Sequence, residues 1–329
     1  MPELQWDHKI FNVKKEGFDA LALEIFRFQA EQNPVYNAYL RALSVDPSLI
    51  RELRQVPFLP IGFFKTHEVK TSSFDPVVVF ESSGTSGSTN SRHFIRDLNL
   101  YEQSFIKGFE HFYGSIKNWC IIGLLPSYLE RKNASLVYMV DQLVNQSRHQ
   151  QSGFYLDEYE KLLQVLNELE IKKQKTLLIG VSFALLDLAE KHLVALKYTT
   201  IMETGGMKGR REEIVRAELH DRLKRAFSIP SVHSEYGMTE LLSQAYSKSE
   251  GIFYCPAWMK VLVRDEEDPL LLKPGEKSSG LINIIDLANI YSCSFIATDD
   301  VGKLHPNGGF EVLGRMDGSD LRGCSLMFV

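Results

Sequence analysis

The chain has 329 residues, of which 44% are hydrophobic and 24% are charged, a composition typical of folded globular proteins. Its 37 basic and 42 acidic residues give a net charge of −5 without any basic block, so nucleic acid is not expected as a partner. The 4 cysteines are scattered and form no CxxC pair, which argues against a structural zinc site.

The N-terminal stretch mixes acidic and basic residues and lacks the apolar segment that a secretion signal requires. No apolar run approaches the length needed to span a membrane. We therefore expect a cytoplasmic protein with no membrane span.

Residues 1–76 are expected to be helical at first and then irregular. Apolar residues recur at three- and four-residue spacing between Gly17 and Leu43, which predicts helices packed on one face, and Pro34 interrupts them. The next segment, VPFLPIGFFKTHEVK, contains two prolines that prevent a long helix. Its aromatic side chains predict a lid or a packing segment: Phe58, Phe63 and Phe64.

Strands and helices alternate from residue 77 to residue 250. The apolar runs NWCIIGLLP, KTLLIGV and TTIMETGG predict buried strands. The helical patterns include one that Ser182 could cap and two with apolar faces, formed by Leu162, Leu166 and Leu169 and by Val215, Leu219, Leu223 and Phe227. This alternation predicts an α/β fold with a mostly parallel sheet and flanking helices.

From about Tyr254 onward the pattern changes to short strands separated by turns such as Lys273-Pro274-Gly275, which predicts a small antiparallel β subdomain. The predicted organisation is one large domain at 1–314, with a helical part (1–76), an α/β core (77–250) and the β subdomain (251–314). A hinge and a short C-terminal tail follow at 315–329.

The stretch FESSGTSGSTNSRH, residues 80–93, follows a β-branched run and precedes a helical pattern that begins at Asp97. It has almost no apolar side chain to bury. Backbone N–H groups in such a turn can converge on a phosphate, and glycine lets the phosphate come close. No Lys-Ser/Thr follows the second glycine, so this is not a Walker loop. From the chemistry of these residues alone, a phosphate-binding loop and a solvent-exposed loop tip are equally good interpretations.

Two further stretches carry oxygen-rich side chains. In HSEYGMTE, residues 233–240, Thr239 could contact a phosphate and Glu240 could bind Mg²⁺, although Thr239 could instead cap a helix. In IATDDVGKL, Asp299 and Asp300 could bind the hydroxyls of a ribose, although an acidic turn is the commoner explanation. The later stretch GRMDGSD predicts a turn between domains.

In this order, these stretches resemble the motifs of the adenylate-forming superfamily of acyl-activating enzymes. The segments PFLPIGFFKTHEV, LLPSYLERKNASLVYMVDQLV and LRGCSLM are most similar to its acyl-protein synthetase (LuxE) branch. The resemblance covers nearly the whole chain and implies the fold of the large N-terminal domain of an adenylate-forming enzyme. The matched motifs are Ser82-Ser83-Gly84-Thr85-Ser86-Gly87, Gly205-Gly206, Tyr236-Gly237-Met238-Thr239-Glu240, Asp300 and Gly314-Arg315-Met316-Asp317.

The resemblance implies that a carboxylate attacks the α-phosphate of ATP to give an acyl-adenylate and pyrophosphate. The loop that begins at Ser82 would then bind phosphates, Thr239 would touch the α-phosphate and Glu240 would hold Mg²⁺. Asp300 would bind the ribose with help from Arg315. The adenine and acyl pocket would be lined by Gly205, Gly206, Tyr236 and Gly237.

Two features depart from the superfamily pattern. Asn90 and Ser91 stand where a lysine usually follows the loop, and Arg92 is the nearest cation. The superfamily also continues past the hinge into a small mobile domain with a catalytic lysine, whereas this sequence ends at Val329. Because such a lysine contributes about 10²–10³ in rate, slow adenylation, a cation from a partner and loss of the step are all open.

The LuxE branch uses a cysteine near the C-terminus as acyl acceptor, and Cys324 in LRGCSLMFV stands in a comparable place. A thiolate can attack an acyl-adenylate and pass the acyl group on as a thioester. The alternative is that Cys324 is a small hydrophobe in a terminal strand.

The expected function is thus activation of a carboxylic acid, of the fatty type, with ATP and Mg²⁺ as cofactors and a thiol as acceptor. A protein partner would take the acyl group. Two alternatives stay open: an ATP-independent acyltransferase that uses Cys324, and a non-catalytic nucleotide-binding subunit.

Overall fold

A computed structural model describes residues 6–82, 89–125, 133–156, 158–205 and 214–316 of the protein. The helices of this part of the chain are α1 (Trp6–Phe11), α2 (Phe18–Gln32), α3 (Pro34–Ala42), α4 (Phe63–Thr66), α5 (Leu98–Tyr113), α6 (Ser135–Ser147), α7 (Tyr159–Ile171), α8 (Ser182–Lys191) and α9 (Arg216–Phe227). None of these described helices is long and apolar enough to cross a membrane.

The strands form two six-stranded sheets and one hairpin. They are β1 (Leu59–Pro60), β2 (Val78–Glu81), β3 (Arg92–Ile95), β4 (Cys120–Leu124), β5 (Gly153–Phe154), β6 (Thr176–Gly180), β7 (Thr199–Glu203), β8 (His233–Tyr236), β9 (Ala245–Ser247), β10 (Ile252–Phe253), β11 (Met259–Arg264), β12 (Ser279–Asp286), β13 (Phe295–Leu304) and β14 (Phe310–Arg315).

The first sheet has the strand order β5-β4-β6-β7-β8-β9 and is parallel except for its last strand. Continuous apolar runs, as in β4 and β6, form its buried centre, because helices cover both faces of a parallel sheet. Ser234 contacts His220 of α9, whereas Tyr246 of β9 contacts Phe112 of α5. Successive residues of a strand alternate between faces, and Glu235 is the register partner of Tyr246, so α5 and α9 lie on opposite faces.

The second sheet has the order β10-β14-β13-β12-β11, and β1 joins it beside β13. All of its pairings are antiparallel except β1 with β13. The antiparallel prediction for this region is therefore confirmed, but the expectation of mostly parallel sheets is not, because this sheet has as many strands as the parallel one. The division into domains at the predicted boundaries stays a prediction.

Main-chain hydrogen bonds link the two sheets. The N–H of Tyr246 donates to the carbonyl of Tyr254 at 3.1 Å, and the N–H of Tyr254 donates back at 2.9 Å. Rings of Tyr236, Phe253 and Phe310 pack together beside this link, with centroids 5.5 to 5.8 Å apart. The end of β8 in the first sheet therefore lies beside β10 and β14 of the second sheet.

The predicted helices form, with local corrections. The helix break at Pro34 is confirmed, since α2 ends at Gln32 and α3 begins at Pro34. Ser182 is not the N-cap of α8: Val181 holds that position, and the Ser182 hydroxyl donates to Glu203 Oε2 at 3.3 Å. Val215 precedes α9 and is 71% exposed, so it does not belong to the apolar face of that helix.

The segment around residues 56–70 packs against the second sheet and the hairpin. Its two prolines are compatible with the two-residue strand β1 and the four-residue helix α4. Phe58 packs edge-on against Phe295 with centroids 5.9 Å apart, and Phe64 does the same against His93 at 5.9 Å. The packing interpretation of Phe58 and Phe64 is confirmed by their burial.

Candidate active site

The glycine- and hydroxyl-rich stretch joins β2 and β3, which pair antiparallel over four residues each. The strand β3 leads from this stretch towards α5, and the helical pattern predicted from Asp97 is confirmed, because Asp97 is the N-cap of that helix. Ser82 closes the base of the hairpin: its N–H donates to the carbonyl of Ser91 at 3.0 Å, and its hydroxyl accepts from the Ser91 N–H at 2.9 Å. Both polar groups of Ser82 thus hold the two strands together.

The hairpin lies against the Thr239–Glu240 turn. His93 Nδ1 is 2.8 Å from the carbonyl oxygen of Thr239 and, facing an acceptor, carries the proton that it donates. Burial lowers the pKa of His93 to about 4, so the imidazole is neutral at physiological pH. Ser91, the residue that pairs with Ser82, forms a hydrogen bond with the Glu240 side chain. The two strands that carry the glycine-rich stretch are therefore fixed on the Thr-Glu pair.

No helix begins after Thr239, so the alternative role as an N-cap is wrong. Instead, the chain continues as a loop into β9, and buried polar groups hold it. The carboxylate of Asp286 accepts from the N–H groups of Leu242 and Ser243, both at 2.9 Å. Asn289 Nδ2 donates to the carbonyl of Glu240 at 2.7 Å. The second sheet thereby fixes the position of Glu240.

Glu240 is buried, with only 6% of the residue exposed. Burial raises its pKa, while the hydrogen bond with Ser91 and the positive charges of Arg315 and Lys65 oppose that rise. No group of three or more His, Cys, Asp or Glu side chains within the described residues could hold a metal by itself.

Tyr236, at the end of β8, reaches across to the second sheet. Its hydroxyl donates to Asp300 Oδ2 at 2.7 Å. Asp300 is the register partner of Arg315 on β14, and the Arg315 guanidinium lies 3.5 Å from Asp299. Burial raises the pKa of Asp300, and the Tyr236 hydrogen bond and the charge of Arg315 oppose that rise. These contacts bring three of the predicted nucleotide residues together.

Gly205 follows β7, the parallel neighbour of β8, and has a φ of +73°, a conformation that favours glycine. Its N–H donates to Glu203 Oε2 at 2.8 Å, and its carbonyl accepts from the Ser182 N–H at 2.8 Å. Burial alone would raise the pKa of Glu203, but hydrogen bonds and the charge of Arg216 lower it to about 2. An ionised, buried carboxylate therefore fixes the Gly205 turn.

Ser234, His220 and Glu203 do not form a nucleophile relay. The Ser234 hydroxyl and Glu203 Oε1 both approach the same His220 nitrogen, Nε2, at 3.3 and 3.5 Å. A relay needs the base to contact the two groups through different nitrogens. This cluster is a structural support of the Gly205 turn.

Seven of the predicted site residues lie outside the described residues: Ser83, Gly84, Thr85, Ser86, Gly87, Gly206 and Cys324. Of the described site residues, one group linked by contacts consists of Ser82, Thr239 and Glu240. A second group consists of Tyr236, Asp300 and Arg315. Gly237 lies between them, in the loop that joins Tyr236 to Thr239.

Sequence reasoning missed the residues that hold this site. Ser91 and His93 carry no motif signal of their own, yet each contacts the Thr-Glu turn. Arg216 is the first residue of α9, and its Nε donates to Glu203 at 3.2 Å, a contact that the helical pattern does not reveal. The signal for His93 was its position in the strand that leaves the glycine-rich stretch.

The family model of acyl-protein synthetases, LuxE, matches residues 9–329 of the sequence. The chain belongs to the LuxE acyl-protein synthetase family. The resemblance predicted from the motifs is thereby confirmed. No curated protein is similar to the chain at a significant level.

Three solved structures are similar in fold to this family member. The O-succinylbenzoate coenzyme A synthetase MenE from Bacillus subtilis, in complex with AMP, has a TM-score of 0.49 at 14% identity, covering 72% of this chain and 49% of its own. The luciferase-like enzyme from the nonluminescent mealworm Zophobas morio has a TM-score of 0.48 at 15% identity, and the match covers 78% of this chain and 62% of that enzyme. CmiS6 has a TM-score of 0.46 at 13% identity, and the match covers 74% of this chain and 61% of CmiS6. The chain thus spans about half to three fifths of the length of these proteins.

Proposed function

We propose that the protein activates a carboxylic acid, of the fatty type, with ATP to form an acyl-adenylate, and that a thiol then accepts the acyl group. The observation that carries this proposal is the contact of the β2–β3 hairpin with the Thr239–Glu240 turn through Ser91 and His93. Phosphates held by the stretch between these strands would lie beside Glu240. Membership of an acyl-protein synthetase family supports the same class of reaction.

In this proposal each described residue has one task. Thr239 contacts the α-phosphate, and Glu240 holds Mg²⁺, which offsets the charge that builds up on phosphoryl oxygens. Asp300, positioned by the Tyr236 hydroxyl, accepts hydrogen bonds from the ribose. Arg315 adds positive charge beside Asp299 and Asp300.

Cys324 is the proposed acyl acceptor, and the chemistry of the other cysteines supports this choice. Burial raises the pKa of Cys120 to about 11 and that of Cys255 and Cys293 to about 12. Only a thiolate attacks an acyl-adenylate efficiently, so these three thiols are poor nucleophiles at neutral pH.

The test is incubation of the protein with radiolabelled fatty acid, ATP and Mg²⁺, followed by hydroxylamine treatment of the isolated protein. We expect covalent label that requires ATP, is released by hydroxylamine and disappears in Cys324→Ser but not in the control Cys255→Ser. Acyl-adenylate without protein label in the wild type would exclude the acceptor role and retain the ligase.

Two other outcomes would overturn the ligase itself. Label that forms from acyl-coenzyme A without ATP indicates an acyltransferase. Nucleotide binding without any pyrophosphate release indicates a non-catalytic subunit.

A further inference from the structure

Glu235 is a buried carboxyl to which the proposed reaction gives no task. It is 8% exposed, and burial, followed by the charge of Glu203, raises its pKa to about 8. No described residue forms a hydrogen bond with it. A Cβ atom on Gly237 would overlap Glu235 Oε1, so the carboxyl lies directly against the Tyr-Gly-x-Thr-Glu motif.

Two neighbours of Glu235 are also buried and polar. Tyr246 is its register partner on β9, and the buried Tyr246 hydroxyl has no hydrogen-bond partner within the described part of the chain. Burial, followed by the charge of Glu235, raises the pKa of Tyr246. Gln244 is 6% exposed, and its Cγ lies 3.4 Å from the position of a Cβ on Gly237.

The buried Tyr246 hydroxyl costs stability if nothing binds to it. An unsatisfied buried polar group costs about 1–3 kcal/mol, and native proteins keep such groups where water, an ion or a ligand meets them. Glu235 and Tyr246 face α5, on the side of β8 opposite to Tyr236 and Asp300. The nucleotide proposed at Asp300 would therefore leave the cluster free, although the cluster begins beside Gly237.

We propose that Glu235, Gln244 and Tyr246 form a polar subsite that binds a hydroxyl or amino group on the acyl chain of the substrate. This inference rests on the proposed function and narrows the carboxylic acid to one with such a substituent. Carboxyl, amide and phenol groups can together donate to and accept from the substituent. A plain alkyl chain would leave the Tyr246 hydroxyl without a partner, and sites of this kind reject analogues that lack the matching group.

The test is pyrophosphate exchange with a series of straight-chain acids, each offered with and without a hydroxyl or amino group at successive positions. We expect the wild type to prefer one substituted acid over its unsubstituted counterpart by about tenfold or more in kcat/KM. Glu235→Leu should remove or reverse that preference, and Glu235→Gln, which keeps its hydrogen-bonding groups, should retain most of it. Tyr246→Phe should reduce it.

The controls separate this inference from the proposed function. Tyr254→Phe, at the edge of the second sheet, should leave the preference unchanged. If no acid supports pyrophosphate exchange, binding of the same acids is measured by calorimetry. Tighter binding of a substituted acid than of its plain counterpart, abolished in Glu235→Leu, would support the subsite and reject the ligase. The subsite would be overturned if the wild type showed equal kcat/KM values or affinities for substituted and plain acids. It would also be overturned if the preference survived both Glu235→Leu and Tyr246→Phe.

Discussion

Three buried carboxyls at the site, Glu203, Glu235 and Glu240, differ in ionisation because their surroundings differ. Hydrogen bonds and Arg216 outweigh burial at Glu203, whose pKa falls to about 2. Burial dominates at Glu235 and Glu240, whose pKa values rise. Groups whose pKa values are pushed apart take different roles. Glu203 is suited to hold a turn, and Glu235 to act as a neutral hydrogen-bonding group, whereas the proposed function requires Glu240 to be ionised when it holds Mg²⁺.

Glu235 gives a pH dependence whose sign follows from its pKa. Its ordinary value is 4.5 and its value in the fold is about 8, so between these limits the folded protein holds a proton that the unfolded chain has lost. Its contribution to stability is complete below the lower value and is lost as the pH rises through the upper one.

We therefore expect Glu235→Gln, which has no such proton, to gain stability relative to the wild type between pH 5 and pH 8 by up to about 1.4 kcal/mol per pH unit. Urea unfolding of both proteins at several pH values measures the difference. The exposed control Glu276→Gln should run parallel to the wild type. A Glu235→Gln curve that also runs parallel would show that Glu235 is ionised throughout this range.

At the scale of elements, the buried imidazole of His93 is one of two contacts that hold the β2–β3 hairpin to the Thr-Glu turn, the other being Ser91. His93→Phe keeps a ring to pack against Phe64 but removes the donor to the Thr239 carbonyl. Because a buried acceptor is then left unpaired, we expect a loss of about 1–3 kcal/mol in unfolding free energy and a lower kcat in pyrophosphate exchange. The control is His111→Phe on the exposed face of α5. Wild-type kcat in a folded His93→Phe protein would disprove the positioning role.

Arg216 joins the two sheets next to the site, since its Nε donates to Glu203 at 3.2 Å and its Nη1 to the Val312 carbonyl at 3.0 Å. We expect Arg216→Leu to raise KM for ATP by roughly tenfold, the equivalent of about 1.4 kcal/mol, with a smaller change in kcat, because the Gly205 turn loses its support. Arg216→Lys should recover part of the loss. Arg222→Leu, on the same helix, is the control. Equal KM values in the Leu variants would contradict this role.

The sequence predicts those elements whose signal is local. The apolar runs of β4, β6 and β7 and the spacing of Leu162, Leu166 and Leu169 were sufficient, because burial of a continuous or periodic set of side chains depends on a few neighbouring residues. The pairing of β1 with β13 was not predictable, since it joins residues far apart in the chain. The family motifs pointed to Tyr236 and Asp300 as separate site residues, but the hydrogen bond between them joins distant parts of the chain and was not predicted. Glu235 carries no motif signal, because its neighbours on β9 are set by strand pairing.

At the scale of the whole molecule, the N-terminal helices are part of the same hydrogen-bonded structure as the second sheet. Gln29 of α2 donates to the carbonyls of Asn289 and Ile290, both at 3.0 Å, and accepts from the Ser294 N–H at 2.9 Å. The carbonyl of Ser292 accepts from Asn33 Nδ2 at 2.8 Å. These bonds join residues that are about 260 positions apart, so the helical part is expected to unfold together with the sheet.

Gln29→Met tests this coupling, because methionine nearly fills the space of glutamine but satisfies neither carbonyl nor the Ser294 N–H. The Ile290 carbonyl and the Ser294 N–H lose their partner, whereas the Asn289 carbonyl still accepts from the Ser292 N–H. We therefore expect a loss of roughly 2 kcal/mol or more in unfolding free energy. The urea midpoint should fall by the same amount whether α-helical circular dichroism or the fluorescence of Trp258 is followed. The Trp258 signal is obtained by subtracting the fluorescence of the matching Trp258→Phe variant. Gln32→Met, exposed on the same helix, should have little effect. Separate transitions for the two probes, with only the helical one shifted by Gln29→Met, would show that the helical part folds independently of the sheet it touches.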